Sequence, residues 1–269
     1  MRQSIQYVLL AVGIAASAIT ASAQDDADVH DIAANPSYDG RFVFARLRYA
    51  SRPGDPCSCD VGGNGGWAGW QHDYPDGEHN LLRIAADLTS LDPRGDSSAV
   101  VSADDPEIMK YPILYLSEPA CWDPSEAEVK GLRKYLLKGG LLIVDDFAIC
   151  NGGPVRFATS RRVFEEQIRR VLPEGKIVPV SMKNPMLNEF FQMDSVQLEQ
   201  ELMRNADGTP EIHGIYAHND PKKRLMVIAN YNTVLHRSWV WEAQGLSSVS
   251  GSTESYKLGV NYLMYGFTH

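Results

Sequence analysis

Two unbroken apolar runs, Ile113 to Leu116 and Leu141 to Val144, organise the middle of this chain. Neither alternates with polar positions, which is the pattern of parallel strands covered on both faces. Between them Asp123-Pro124 reads as a helix start, and Val129, Leu132, Leu136 and Leu137 recur at helical spacing. Gly139-Gly140 supplies the helix stop. The segment is therefore a βαβ unit, and its second strand ends in the carboxylates Asp145 and Asp146.

The same reading extends outward. Arg41 to Tyr49 has the β-branched and aromatic content of a first strand, with Phe42, Phe44 and Arg46 on one face and Val43, Ala45 and Leu47 on the other. Leu81, Leu82, Ala85 and Leu88 share one face of a helix over His79 to Leu91, and Ser98 to Ala103 makes a second strand. Asp105-Pro106 opens a short turn before the third strand. Thr159 to Leu172 is a further helix carrying Val163, Phe164, Ile168 and Val171. Lys176 to Val180, His213 to His218 and Leu225 to Ala229 are strands, the last two joined by a turn at Asn219-Asp220-Pro221. A closing helix spans Glu254 to Phe267. Alternation of strand and helix predicts a three-layer α/β sandwich on a mostly parallel sheet.

Composition changes the picture at the ends and in the loops. Residues 1–23 carry Arg2, an apolar core from Tyr7 to Ala18, and Ala21-Ser22-Ala23, the form of a cleaved secretory signal. Its apolar run is short for a membrane span, so no span is expected after cleavage. Residues 24–40 are acidic and weakly apolar, a flexible leader, and residues 41–269 form a single domain. Losing Arg2 leaves 24 Lys+Arg against 34 Asp+Glu, moving the net charge from −9 to −10. That balance disfavours nucleic acid and anionic membranes as partners. Cys57, Cys59, Cys121 and Cys150 can form disulfides in a periplasmic or secreted protein, and Cys121 with Cys150 is the favoured pair because their loops follow adjacent strands.

Ligands of open parallel sheets gather at the carboxyl ends of strands. That rule selects Arg48 and Tyr49 after the first strand, Glu118 after the third, and Asp145 and Asp146 after the fourth. Trp70 and Asp73 in the long glycine-rich loop, and Trp241 and Glu242 after the last strand, are further walls of the same crevice. His72, Asp73 and His79 are the candidate metal ligands, since two imidazoles and a carboxylate can hold a divalent ion with a position left for water. Their spacing matches none of the recognised zinc signatures, and Asp76 and Glu78 also suit a helix first turn. Gly62-Gly63-Asn64-Gly65-Gly66 lacks the lysine and hydroxyl residue of a nucleotide loop.

Taken in order, FARLRY, WQHDYPDGEHNLL, YPILYLSEP, LRKYLLKGGLLIVDDF, RVFEEQIRRVLP, WVWE and YKLGVNYLMY resemble the bacterial family called domain of unknown function 4159, from Arg41 to the C-terminus. The resemblance implies a flavodoxin-like, class I glutamine amidotransferase-like fold and a cell-envelope setting, with no established activity. Amidotransferase chemistry itself is not expected, because Ser117-Glu118-Pro119-Ala120-Cys121 lacks the glycine-flanked elbow that presents a nucleophile. The expectation is an exported domain that binds a small polar ligand or an envelope protein at the strand ends, without a cofactor. The alternative is a metal-assisted hydrolase built on the His/Asp/Glu cluster.

Overall fold

The computed structural model describes residues 34–50, 69–147, 157–196, 209–243 and 249–269. Seven strands form one sheet: β1 (Phe42–Arg48), β2 (Pro93–Ser102), β3 (Ile113–Ser117), β4 (Leu141–Asp145), β5 (Ile177–Pro179), β6 (Glu211–Tyr216) and β7 (Leu225–Tyr231). Their order is β2-β1-β3-β4-β7-β6-β5. The first five in that order run parallel, and the β5 and β6 pairings are antiparallel. The helices are α1 (Asp76–Leu88), α2 (Glu126–Leu137), α3 (Phe157–Val171), α4 (Leu235–Ala243) and α5 (Val249–Thr268). This is the expected mostly parallel three-layer α/β sandwich, with the flavodoxin-like reversal of strand order between β1 and β3, which run parallel.

Period two sorts the core. Val43, Ala45 and Leu47 of β1, Leu114 and Leu116 of β3, and Leu142 and Val144 of β4 face one layer with Val129, Leu132 and Leu136 of α2 and Phe164 and Ile168 of α3. Phe44, Ile113, Tyr115, Leu141 and Ile143 face the other, with Leu81, Leu82 and Ala85 of α1, Trp239 of α4 and Leu258 and Leu263 of α5. Each fully buried aliphatic side chain of these sets contributes about 1.5–3 kcal/mol. The parity also sets up chemistry. Arg46, Tyr115 and Asp145 continue the second face, so their polar ends sit beneath α1 and α4.

Several boundaries differ from the sequence expectation. The cap of α2 is Ser125, not Asp123: its hydroxyl accepts from the Glu128 N–H at 3.2 Å, and the Glu128 carboxylate accepts from the Ser125 N–H at 2.8 Å. This reciprocal box is worth about 1 kcal/mol. Leu137 and Leu88 are exposed because each ends its helix, and Tyr135 takes the inward place beside Leu136. Gly139, at φ +121°, provides the stop after α2. α1 begins at Asp76, three residues before His79, and β2 begins at Pro93. The helix α4 was not anticipated, because its apolar positions are interrupted by His236, Arg237 and Ser238.

Residues 34–40, within the segment read as a leader, lie along the sheet edge. The Asn35 side chain donates to Val100 O at 2.9 Å and accepts from Val100 N–H at 2.8 Å, and Asp39 pairs with Arg94 at 2.6 Å. These contacts cover part of the β2 edge. Among the described residues no helix is long and apolar enough to cross a membrane. The glycine run 62–66, Trp67, Cys57, Cys59, Cys150 and residues 1–33 lie outside the described residues, and with them the proposed disulfide and signal segment.

Candidate functional site

The carboxyl ends of β1, β3 and β4, the turn at Gly69–Gln71 and the first turn of α4 meet at the β1/β3 switch point. Arg46 builds its floor. Its guanidinium pairs with Glu78 of α1 at 2.7 Å and donates to the carbonyls of Trp70 at 3.1 Å and His72 at 2.6 Å, with both side chains of the ion pair essentially unexposed. It also lies 5.2 Å from the centroid of the Tyr115 ring. One buried cation thus anchors the turn that carries His72 and Asp73 to the sheet. The Tyr49 hydroxyl bridges the carbonyls of Ser117 and Glu118 at 2.7 and 2.8 Å, fixing the end of β3.

Asp73, Glu118 and Asp146 have φ of 55°, 47° and 57°, the left-handed region that side chains rarely adopt. Each such residue costs on the order of 1 kcal/mol, and strain of this kind concentrates at functional sites. The result is convergence. His72 Nδ1 lies 2.7 Å from Asp146 Oδ2 and 2.8 Å from Glu118 Oε1. His236 Nε2 lies 3.2 Å from Asp73 Oδ2 and 3.9 Å from Asp146 Oδ2. Behind it, Asp145 Oδ2 accepts from the Tyr115 hydroxyl at 2.6 Å and the His236 N–H at 3.1 Å, and stands 3.2 Å from His236 Nδ1.

Asp145 decides the His236 tautomer. A proton on Nδ1 faces that carboxylate, so Nε2, which faces Asp73 and Asp146, is the nitrogen whose proton a metal ion would replace. Asp73 Oδ2 and His236 Nε2 face each other across 3.2 Å, and Asp146 Oδ1 is buried without a hydrogen-bond partner. Carboxylates converging in a buried space repel unless positive charge lies between them, which protonated imidazole or a metal ion can supply. One ligand atom from each of His72, Asp146 and His236 falls within 4.8 Å of the others, so this group could hold a metal ion.

The titration behaviour has the same origin. Burial lowers the affinity of His236 for a second proton, but Asp145 and Asp73 outweigh it and lift its pKa to about 9. Burial pushes Glu118 up to about 7. Burial also opposes ionisation of Asp73 and Asp146, yet His236 and His72 respectively hold them below the usual carboxylate range. His72 receives conflicting demands. Against the effect of burial, Asp146 and Glu118 favour imidazolium and lift its pKa to about 10, whereas Arg237 Nη2 sits 2.9 Å from Nε2. A guanidinium has no acceptor, so that contact requires an unprotonated Nε2 and a neutral ring. In this arrangement the hydrogen-bond geometry fixes the neutral Nδ1–H form.

A family model for Domain of unknown function (DUF4159) matches residues 43–267. The chain belongs to that family. No curated protein matches it significantly.

Of the residues selected from the sequence, His72, Asp73, Glu118, Asp145 and Asp146 come together in this DUF4159 domain. Tyr49 is a buried support. Arg48 is exposed, and Asp145 and Asp146 pair with His236 and His72 instead of with it. Trp70 is 2% exposed and packs edge-on against Tyr74, so it is core with no open face for a ligand. His79 lies in the first turn of α1 and does not join the ligand group. Glu78 serves Arg46 in addition to the helix dipole. Trp241 and Glu242 fall in the last turn of α4, and their side chains lie outside those described. His236, Arg237 and the Arg46–Glu78 pair were missed. The rule that selected Asp145 would have reached His236 had the helix after β7 been recognised.

Proposed function

We propose that this domain is a metal-dependent hydrolase acting at the β1/β3 switch point, with His72, Asp146 and His236 as ligands. Of the two readings open from the sequence, the geometry supports this one over a purely binding role. The observation that carries it is the buried convergence of His72, Asp146 and His236, each with a ligand atom within 4.8 Å of the others, with Asp145 behind His236 Nδ1 at 3.2 Å. A divalent ion held there supplies Lewis acidity and a water nucleophile at neutral pH. Asp145 and Tyr115 orient the His236 ring. Arg46 fixes the main chain at His72. Glu118, buried and with its pKa lifted to about 7, is placed beside His72 to take up or return a proton. The apolar run of residues 7–18 and the Ala21-Ser22-Ala23 sequence support an exported protein acting in the envelope.

The test is a screen of ester, amide and phosphoester substrates using chelator-stripped protein with zinc, manganese or cobalt added back. The reading requires turnover that appears with an ion and vanishes in Asp146→Asn. Tight metal binding with no turnover on any substrate class would return the domain to a binding role.

A further inference from the structure

The amino ends of the parallel strands lie away from the candidate site, since the five residues of β4 alone rise about 16 Å. There the ends of α2 and α3 and the turn between β6 and β7 enclose a cavity of about 270 Å³, whose wall includes Arg133, Leu172, Glu174, Tyr216, His218 and Arg224. We infer that this cavity binds the phosphate group of a small soluble ligand, a second site that is independent of the metal reading.

Two guanidiniums line the cavity without a counter-charge. Arg133 Nη1 donates to Val171 O at 3.0 Å, at the end of α3. Arg224 donates to Leu136 O at the end of α2, to Gly140 O at 3.1 Å and to Leu225 O at 3.4 Å. These bonds satisfy helix-end and loop carbonyls, but a guanidinium has five N–H groups, so both residues keep donors to spare. Among the described residues neither arginine forms an ion pair, and Glu174, the carboxylate on the cavity wall, pairs with neither. Burial pulls the pKa of Arg224 below its ordinary value, and only Tyr265 and Tyr135 oppose that. The wall itself is preset: His218 and Asn219 have φ of 57° and 56°, and the Asn219 side chain accepts from Lys176 N–H at 2.7 Å and donates to Glu174 O at 2.8 Å.

The surroundings add positive charge. Lys134 and Lys138 end α2, Lys222 and Lys223 lead into Arg224, and Lys176 precedes β5; all five are exposed and, among the described residues, outside any ion pair. Segments 133–138, 174–176 and 218–224 thus carry seven cations against two carboxylates, Glu174 and Asp220, in a chain of net charge −9. Such a local excess concentrates anions at the cavity, while the negative charge of the rest of the chain disfavours an anionic membrane. Phosphate suits the site better than carboxylate. One guanidinium fork uses both oxygens of a carboxylate, whereas a phosphate monoester has oxygens for two forks. The small volume restricts the ligand to a phosphate with a short carbon skeleton lying against the buried Leu172, Tyr216 and Met226.

The experiment is calorimetric titration of glycerol 3-phosphate, inorganic phosphate and acetate into chelator-stripped, dialysed protein: wild type, Arg133→Gln, Arg224→Gln and Asp146→Asn. The expected result is one site that takes both phosphates about tenfold or more tighter than acetate, weakens about tenfold or more in each arginine variant, and is unchanged in Asp146→Asn. Arg133→Lys, which keeps the charge and loses the fork, should fall between wild type and Arg133→Gln. Arg133 holds a single carbonyl, so its variants decide the matter if Arg224→Gln does not fold. Absence of phosphate binding, equal binding of acetate, undiminished binding by Arg133→Gln, or loss of binding in Asp146→Asn would overturn the inference. Sedimentation with phosphatidylglycerol vesicles without binding of either soluble phosphate would also overturn it, in favour of a membrane-facing surface.

Discussion

Replacing Asp145 separates its two roles, as a buried acceptor and as the negative charge that sets the His236 tautomer. Its Oδ2 takes hydrogen bonds from the Tyr115 hydroxyl and the His236 main chain, and faces His236 Nδ1, all at 2.6–3.2 Å in a region with no solvent exposure. Asp145→Ala leaves three buried donors without an acceptor, at about 1–3 kcal/mol each. A total of about 3 kcal/mol or more is a large share of a typical stability of about 5–15 kcal/mol. Asp145→Asn keeps an oxygen in the same place and places its amide nitrogen where Oδ1 had no partner, so the fold should lose far less. It removes the charge behind His236, however. Loss of such an outer partner typically weakens metal binding about 10–100-fold, or roughly 1.4–2.7 kcal/mol. Urea unfolding in chelator would measure the first effect and a competitive metal titration the second. Wild-type metal affinity in Asp145→Asn, or a wild-type urea midpoint in Asp145→Ala, would refute the reasoning.

Other consequences concern the supports and the charges. A Cβ at Gly69 would lie 2.8 Å from Tyr49 Oη, 2.9 Å from Glu118 Oε2 and 3.1 Å from Cys121 Sγ, so Gly69→Ala must displace the Glu118 carboxylate. It should cost about 1–3 kcal/mol in thermal or urea unfolding and weaken metal binding; unchanged stability would remove the role given to this approach. Glu78→Gln strips the partner from a fully buried guanidinium and should destabilise by about 3–5 kcal/mol, more than the double change to Arg46→Met with Glu78→Leu, read from unfolding midpoints. In chelator, stability should fall as pH rises from about 5 to 9. The folded pKa of Glu118, about 7, and of His236, about 9, lie above the ordinary values of 4.5 and 6.5, so the stabilisation they give at low pH is lost through those ranges. A midpoint that stays flat or rises from pH 6 to 9 would contradict this.

Much of the fold was legible because parallel strands covered on both faces leave unbroken apolar runs, as at Ile113 and Leu141, and the βαβ unit between them orients its neighbours. The carboxylates at the strand ends followed from that topology alone. Other features depended on packing that periodicity does not report. Arg46 occupies a position facing the same layer as Phe44 and reads as an ordinary polar residue of a strand; only Glu78 arriving from α1 makes its burial tolerable. Arg48, two positions on, looked equivalent and is exposed because β1 ends there. Trp70 stood in a glycine-rich loop and read as a ligand wall, yet the Arg46 contacts pull that turn onto the sheet and bury the ring. His236 escaped notice because α4 has too few apolar positions to announce itself, although its backbone N–H and ring both serve Asp145.

What most needs testing is whether His72, Asp146 and His236 together hold a metal ion. Diffraction from crystals grown with the ion, collected on both sides of its absorption edge, tests it most directly. The account predicts one strong anomalous peak within about 2.0–2.2 Å of a ligand atom of each of these three residues. A metal-saturated crystal with no peak between them, or with the only peak elsewhere, would contradict it.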